Sequence, residues 1–385
     1  MSTWGAGRVP SPVVGLERRH GIMMTESSSV LEVFGGVDTH SLTHHAAVVD
    51  TLGRELGDRE FPATPAGYEA LQAWLVGFGQ LVRVGVEGTG SYGAGLMRVL
   101  TGAGIVVVEV DRPDRTARRS LGKSDPLDAY AAARAAASGR ATGTPKSRDG
   151  IVESIRCLRL AQRSAIKART QCINQIRALL VNGPADLREH LAQLPTAKMI
   201  KSLTRLRPTT DLTDPHVACK LALRSLARRY ASLDEEIKQL HRGLCDLTRQ
   251  VAPQLLERPG IGVQVTAQLL ITAGDNPDRL GSEASFAHLA GVAPVPASSG
   301  KRQHRHRLNR GGDRSANNAL YTVALVRMRH HEPTRAYVER RTAEGLSKKD
   351  IIRCLKRAIA REVYRLLTRP TVPLVRTVTA PPAAA

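Results

Sequence analysis

Aromatic side chains are scarce in this chain: Phe, Trp and Tyr together make up 3% of its 385 residues. Domains that read single-stranded nucleic acid commonly stack its bases on aromatic rings, so the scarcity argues against a recognition module of that kind. Contacts with nucleic acid would rest mostly on Arg and Lys at phosphate groups, which supply affinity but little sequence information. Sequence-specific recognition would then depend on another component.

Paired cysteines and long apolar runs are absent as well. The five cysteines form no C-x-x-C pair, and an odd number fits no closed disulfide framework. Reduced thiols in the cytoplasm are therefore expected. No apolar run reaches the roughly 18 residues that a membrane-spanning helix needs, and residues 1–30 lack the apolar stretch of a signal peptide. We therefore expect no membrane partner.

Positive charge, by contrast, is abundant. Lys and Arg number 56 against 35 Asp and Glu, which gives a net charge of +21 at pH 7 and a sequence pI of about 10.5. A protein this basic most often binds a polyanion, and nucleic acid is the usual one. The alternative is a chain from a GC-rich genome, in which Arg replaces Lys without a functional purpose.

Residues 31–149 alternate strand and helix patterns. Three strand patterns come first, then helix, strand, helix and strand, and finally an alanine-rich helix from Ser124 to Ser138. Ser124 or Asp125 suits the N-cap of that helix, and Pro126 suits its first turn. Three early strands followed by alternation predict a mixed sheet flanked by helices, in an RNase H-like α/β fold.

The rest of the chain has mostly helical patterns. In residues 150–257, apolar positions recur at helical spacing and prolines interrupt the middle. This pattern predicts two long helices around a broken segment, either as an antiparallel or intermolecular coiled coil or as an ordinary bundle. Residues 258–368 are predicted to form a mostly helical C-terminal domain, with helices at 263–272, around 286–289, at 315–329 and at 348–367. Residues 1–30 and 369–385 are predicted to be disordered.

Four acidic residues stand where a mixed α/β sheet commonly builds its site. Asp38 and Glu87 each end a strand beside glycine, and Asp125 and Asp128 share one face of a first helical turn. Gathered carboxylates repel one another, and Mg²⁺, which prefers hard oxygen ligands, is their natural partner. Two such ions roughly 3.5–4 Å apart stabilise the attacking and leaving oxygens of phosphoryl transfer. Taken singly, each acid is more simply a helix cap or a surface charge.

Other polar residues lie close to these acids in the sequence. His40, His44 and His45 follow Asp38 and are close enough in the sequence to reach the same site, but histidines in a turn are usually solvated. Lys123 precedes the helix that carries the acid pair, and it suits a phosphate contact nearly as well as a surface position.

A basic loop downstream carries a candidate nucleophile. Ser299, with Ser298 beside it, precedes Gly300 and a series of cations: Lys301, Arg302, Arg305, Arg307, Arg310 and Arg314. Such cations favour the alkoxide and the pentavalent state when a hydroxyl attacks a phosphate. A flexible loop that merely binds backbone phosphates has the same spacing.

A glycine-containing turn lies between two helical patterns farther upstream. Pro259-Gly260-Ile261-Gly262 is similar to the hairpin of a helix-hairpin-helix DNA-binding unit, in which the amides of the second helix face a phosphate. A plain Pro-Gly turn is an equally good interpretation of Gly260 and Gly262.

These motifs occur together in one order, and in that order the chain resembles the IS110 family of insertion-sequence transposases, which is related to the Piv and MooV invertases. The resemblance covers about residues 33–368. Its motifs are Gly36-Val37-Asp38-Thr39-His40, Val86-Glu87-Gly88-Thr89-Gly90, Lys123-Ser124-Asp125-Pro126-Leu127-Asp128-Ala129, Pro259-Gly260-Ile261-Gly262, Ala290-Gly291-Val292-Ala293-Pro294 with Ser299-Gly300-Lys301, and Arg310-Gly311-Gly312-Asp313-Arg314 with Asn317-Asn318-Ala319-Leu320-Tyr321.

The resemblance implies a mechanism. An N-terminal RuvC-like domain would carry a DEDD tetrad at Asp38, Glu87, Asp125 and Asp128, and a C-terminal transposase domain would carry its nucleophilic serine at Ser299. DNA would be cut and rejoined with Mg²⁺ through a covalent 5′-phosphoserine link, as in serine recombinases.

The resemblance also implies partners. A bridge RNA would pair with target and donor DNA. Dimers, joined through residues 150–257 as a linker and dimerisation region, would assemble into a tetramer in which the RuvC-like domain of one protomer completes another's site. The residues expected from the basic loop, the glycine turn and the acid helix to contact nucleic acid are Lys123, Gly260, Gly262, Lys301, Arg302, Arg305, Arg307, Arg310 and Arg314. The protein is expected in the bacterial cytoplasm, associated with the nucleoid.

Two other functions fit the same residues. A metal-dependent nuclease of the Holliday-junction type would use water as the nucleophile, with Ser299 as a phosphate contact only, and would form no covalent adduct with DNA. An inactive remnant would bind nucleic-acid backbone with a strong dependence on salt and would cleave nothing.

Overall fold

The structure is a computed structural model that describes residues 31–110, 124–297, 306–309 and 311–368. Its N-terminal part is a five-stranded mixed sheet with the strand order β3-β2-β1-β4-β5. β1 pairs antiparallel with β2 and parallel with β4, β3 extends the antiparallel edge, and β5 extends the parallel edge. The strands are β1 (Glu32–Thr39), β2 (Thr43–Asp50), β3 (Glu55–Pro62), β4 (Gln80–Glu87) and β5 (Val107–Val110).

Helices cover both faces of this sheet, which explains why β1 is apolar at successive positions. Val33 packs against α1 (Pro65–Val76) and α2 (Ala94–Gly102), and Phe34 packs on the opposite face against α3 (Asp125–Ala137). The RNase H-like α/β arrangement, followed by a mostly helical region, is thereby confirmed.

Two long helices follow the sheet and run antiparallel within the chain. Leu158 of the first approaches Gly243 of the second, and farther along Arg169 donates to Asp234. Contacts between these helices and a second copy of the chain stay a prediction. The elements of this region are α4 (Ile151–Asn182), α5 (Ala185–Leu191), α6 (Thr196–Thr204), α7 (Pro215–Val251) and α8 (Pro253–Leu256).

The remaining helices share one apolar core with the nearer ends of the long helices. Val152 and Ile155 of α4 and Leu244 of α7 are buried among the C-terminal helices. The elements are α9 (Val263–Ala273), a 3₁₀ helix (Pro277–Leu280), α10 (Glu283–Leu289), β6 (Pro294–Pro296), β7 (His306–Leu308), α11 (Arg314–His330), α12 (Glu332–Ala343) and α13 (Lys348–Thr368). The sequence patterns missed α12, because Thr334 is its one buried residue and it has no apolar stripe.

The two tails predicted to be disordered, 1–30 and 369–385, lie outside the described residues. The domain boundaries after 149 and 257 stay predictions. Among the residues that the structure describes, no helix combines the length and the apolar character needed to cross a bilayer.

Candidate active site

Two of the acids end neighbouring parallel strands. Val37 of β1 pairs with Val86 of β4, so the next residues, Asp38 and Glu87, reach the same edge of the sheet. The Thr39 hydroxyl donates to the backbone oxygen of Glu87 at 2.8 Å and ties the two strand ends together. The carboxyl ends of parallel strands are a common position for a binding site, and this edge has that position.

Asp125 reaches this edge because the helix that carries it, α3, packs directly on the backbone of the sheet. Gly36 leaves room for the helix: a Cβ there would lie 2.1 Å from the nitrogen of Ala133 and 2.2 Å from the oxygen of Ala129. Ser124 caps the helix, so Asp125 and Asp128 occupy its first turn. Asp128 is only 5% exposed. The small residues between α3 and β1 thus set the distance between the acid-bearing helix and the sheet.

His40 lies between two of the acids. Its Nε2 is 3.1 Å from Oδ2 of Asp38 and 3.4 Å from Oδ1 of Asp125. The side chain of Asp38 is 9% exposed, whereas those of His40 and Asp125 are 41% and 43% exposed, so the group opens to solvent on one side. One ligand atom from each residue lies within 4.8 Å of the others, which suits a single metal ion. The donor set therefore fits a divalent cation.

His40 was not among the site residues expected from the sequence. The sequence nevertheless contains one indication of its position. His40 follows Asp38 by two residues, and side chains two apart in an extended chain point to the same face. The structure thus brings together Asp38, His40 and Asp125, with Glu87 at the adjoining strand end and Asp128 three residues along the helix.

A buried arginine links this edge to the C-terminal part of the chain. Thr89, in the loop after Glu87, donates to Oε1 of Glu109 at 2.8 Å, and Nη2 of Arg279 lies 3.6 Å from the other carboxylate oxygen. Arg279 also donates from Nε to the backbone oxygen of Thr144 at 2.8 Å. Its side chain is 10% exposed. Nothing in the local sequence pattern singles out this contact.

Lys146 reinforces the same junction. Its Nζ donates to the backbone oxygen of Ile271 at 2.6 Å, and burial lowers the pKa of Lys146 to about 8. Asn276 holds the flanking chain, since it donates to the oxygen of Pro145 at 2.9 Å and accepts from the nitrogen of Ser147 at 3.2 Å. The segment after α3 is therefore bonded to the loop after α9.

The candidate serine loop lies between β6 and β7. Val295 pairs with Arg307 across these short antiparallel strands, so the two ends of the loop are adjacent. Arg307 and Arg314 are exposed. Lys123 and the remaining residues of the basic loop lie outside the described residues: Ser298, Ser299, Gly300, Lys301, Arg302, Arg305 and Arg310.

Hydrogen bonds made by Asn317 hold the chain that leads into this loop. The Asn317 side chain donates to the oxygens of Gly291 at 2.8 Å and Ala290 at 3.1 Å, and its Oδ1 accepts from Nζ of Lys356 at 2.9 Å. Lys356 is 9% exposed, and burial lowers its pKa. β6 therefore starts from a backbone held by α11 and α13.

The glycine turn lies between α8 and α9, as its sequence indicates. Gly260 has a φ of 76°, a left-handed conformation that favours glycine, and Gly262 is the N-cap of α9. Nε of Arg327 donates to the oxygen of Pro259 at 2.8 Å, and Arg327 pairs with Glu362 at 2.7 Å. The turn is thus bonded to α11, and nucleic-acid binding by its glycines stays a prediction.

Comparison with known proteins places the chain among transposases. The DEDD transposase family of IS110 matches residues 35–183, and the transposase family IS116/IS110/IS902 matches residues 252–339. The chain belongs to the IS110 family of transposases. It is 26% identical over 367 residues to an insertion element IS110 protein of 43.6 kDa from Streptomyces coelicolor, covering 81% of this chain and 88% of the relative. It is also 26% identical over 239 residues to the IS1328 transposase of Yersinia enterocolitica, covering 60% and 66%.

Membership of the IS110 family identifies the general activity. This insertion-sequence transposase acts on DNA, which it cuts and rejoins. Transposases of the DEDD type are typically metal-dependent, and the first family match contains Asp38, His40 and Asp125.

Proposed function

We propose that the transposase cuts and rejoins DNA by attack of the Ser299 hydroxyl on a phosphodiester that is held at the carboxylates with Mg²⁺. The ligands would be Asp38, Glu87, Asp125 and Asp128. The observation that carries the proposal is the meeting of Asp38 and Asp125 at one edge of the sheet. These two acids are 87 positions apart in the chain, yet both lie within 3.4 Å of one imidazole nitrogen. Carboxylates gathered in this way repel one another unless a cation joins them.

The roles divide between the two parts of the chain. Bound Mg²⁺ would supply Lewis-acid stabilisation of the charge that builds up on phosphate oxygens. The acids orient the scissile phosphate, and Ser299 gives up its hydroxyl proton as Oγ bonds to phosphorus. The bond from phosphorus to the 3′ oxygen breaks and that oxygen takes up a proton, which leaves a 5′-phosphoserine and a 3′-hydroxyl. Rejoining reverses this exchange with the 3′-hydroxyl of another strand.

We further propose that a bridge RNA supplies the sequence specificity. The low aromatic content and the net charge of +21 support binding by backbone phosphates rather than by base stacking. The exposed Arg307 and Arg314 are suited to such contacts. Dimers formed through α4 and α7, and a tetramer of these dimers on DNA, belong to the same proposal.

The experiment is to trap a covalent protein–DNA adduct. End-labelled DNA carrying the native ends of the element is incubated with the protein, the RNA from those ends and Mg²⁺, then resolved under denaturing conditions. We expect an adduct with wild type and with Ser298→Ala, the neighbouring control, and none with Ser299→Ala or Asp125→Asn.

The other outcomes identify the alternatives. Strand cleavage without an adduct, retained in Ser299→Ala, would mean that water is the nucleophile, as in a resolvase-type nuclease. Salt-sensitive binding with no cleavage by any variant would mean an inactive remnant. An adduct lost only in Ser298→Ala would move the nucleophile by one residue.

A further inference from the structure

His40 belongs to the acid cluster by geometry but not to the DEDD tetrad. Its Nε2 approaches Asp38 at 3.1 Å and Asp125 at 3.4 Å. The backbone holds it there, because the His40 nitrogen donates to the oxygen of Thr43 at 3.0 Å where the chain turns from β1 to β2. The side chain is thus fixed at its base and aimed at the acids.

The distances match those between ligands of one ion. Bonds of about 2.1 Å at right angles place two ligand atoms ~3.0 Å apart, and opposite ligands ~4.2 Å apart. The two measured separations are close to the first value, and all three ligand atoms lie within 4.8 Å of one another. A metal ion bonded to both carboxylates would therefore have the imidazole nitrogen within reach.

A second histidine shows that this arrangement is particular to His40. His45 is the residue directly opposite Asp38 in the antiparallel pair, so both side chains lie on one face of the sheet. Its imidazole is nevertheless 2.7 Å from Asp58 on β3, away from the cluster. Proximity to Asp38 in the sheet does not by itself direct a histidine to the acids.

We propose that His40 is a nitrogen ligand of the metal ion and gives the site a preference for first-row divalent transition metals, such as Mn²⁺, over Mg²⁺. This inference rests on the metal site proposed above. Mg²⁺ prefers oxygen ligands, whereas neutral imidazole is a common ligand of transition metals. Replacement of His40 therefore weakens Mn²⁺ binding more than Mg²⁺ binding.

The test measures metal binding directly, with no DNA present. Mn²⁺ and Mg²⁺ titrations of the full chain are compared among wild type, His40→Asn, His45→Asn and Asp38→Asn, each checked for folding by circular dichroism. Loss of an outer-shell partner alone costs about 10–100-fold in metal affinity, so removal of a ligand should raise the Mn²⁺ dissociation constant at least ~10-fold. We expect a much smaller change for Mg²⁺ in His40→Asn, and none for either ion in His45→Asn.

A spectrum of the wild-type protein supplies an independent readout. Pulsed electron paramagnetic resonance of bound Mn²⁺ should show coupling to a ¹⁴N nucleus of imidazole, absent in His40→Asn and present in His45→Asn. If wild type lacks the coupling, or if His40→Asn leaves the ratio of Mn²⁺ to Mg²⁺ affinity unchanged, the inference is overturned. Loss of binding in Asp38→Asn would then still support the carboxylate site. Wild-type binding that survives Asp38→Asn would overturn the carboxylate site and this inference together.

Discussion

Gly36→Ala should separate α3 from the sheet and so disturb the acid cluster without removing any of its members. The new Cβ would lie 2.1 Å from the nitrogen of Ala133, whereas ordinary contacts begin at 3.4 Å, so the helix must recede by about 1.3 Å (3.4 minus 2.1). Overpacking of this kind typically costs about 1–3 kcal/mol of stability. Displacing Asp125 and Asp128 by ~1 Å from the strand ends should lower the rate of DNA cleavage by about 100-fold.

The measurements are urea denaturation and single-turnover cleavage. Gly102→Ala is the matched control, because nothing lies within 4 Å of a Cβ at the end of α2. The control should keep its activity and gain up to about 1 kcal/mol of stability, as expected when alanine replaces helical glycine. If Gly36→Ala behaves like the control in both assays, the close packing of α3 on β1 does not position the acids.

Two further predictions concern buried polar groups. Burial lowers the pKa of His44, so the folded protein keeps this imidazole neutral while the unfolded chain binds a proton, and stability falls as the pH drops below about 6.5. His44→Phe retains the aromatic stacking on Tyr68 but removes the titrating group. The free energy of unfolding, measured by urea denaturation, should then vary less between pH 7 and pH 5, by at most about 1.4 kcal/mol per pH unit. If that free energy varies with pH as steeply in His44→Phe as in wild type, the prediction is wrong. Arg279→Met should lower the free energy of unfolding by about 1–3 kcal/mol in the same assay at pH 7. The substitution removes the ion pair of a buried side chain with Glu109 and its hydrogen bonds to backbone oxygens. The exposed Arg140→Met should change stability by less than about 0.5 kcal/mol, and an equal effect of both substitutions would refute the importance of the junction.

Local periodicity was sufficient to predict most elements of the fold. The strand and helix patterns of residues 31–138 match β1 to β5 and α1 to α3 within a few residues. The two long helices also match, because their apolar residues recur at helical spacing. α12 was missed since its packing leaves almost no apolar stripe, and a polar helix has no periodic signal.

The candidate site was predicted in part. The positions of Asp38 and Glu87 at strand ends, and of Asp125 and Asp128 on a first helical turn, followed from local patterns. Their roles as ligands stay predictions. His40 was interpreted as a solvated turn residue, because no local pattern reveals that α3 brings an acid to its imidazole from 85 positions away.

The sequence by itself determined the order of most elements, the apolar faces and the family to which the transposase belongs. Each of these depends on residues near one another in the chain, or on motifs in a fixed order. Only the tertiary structure decided that His40 meets two acids, that Arg279 reaches Glu109 across 170 positions, and that Asn317 and Lys356 clamp the chain entering the serine loop. Each of these contacts joins residues far apart in the chain, so it depends on how closely the elements pack. At the acid site, for example, the absence of a Cβ at Gly36 sets the distance between α3 and β1.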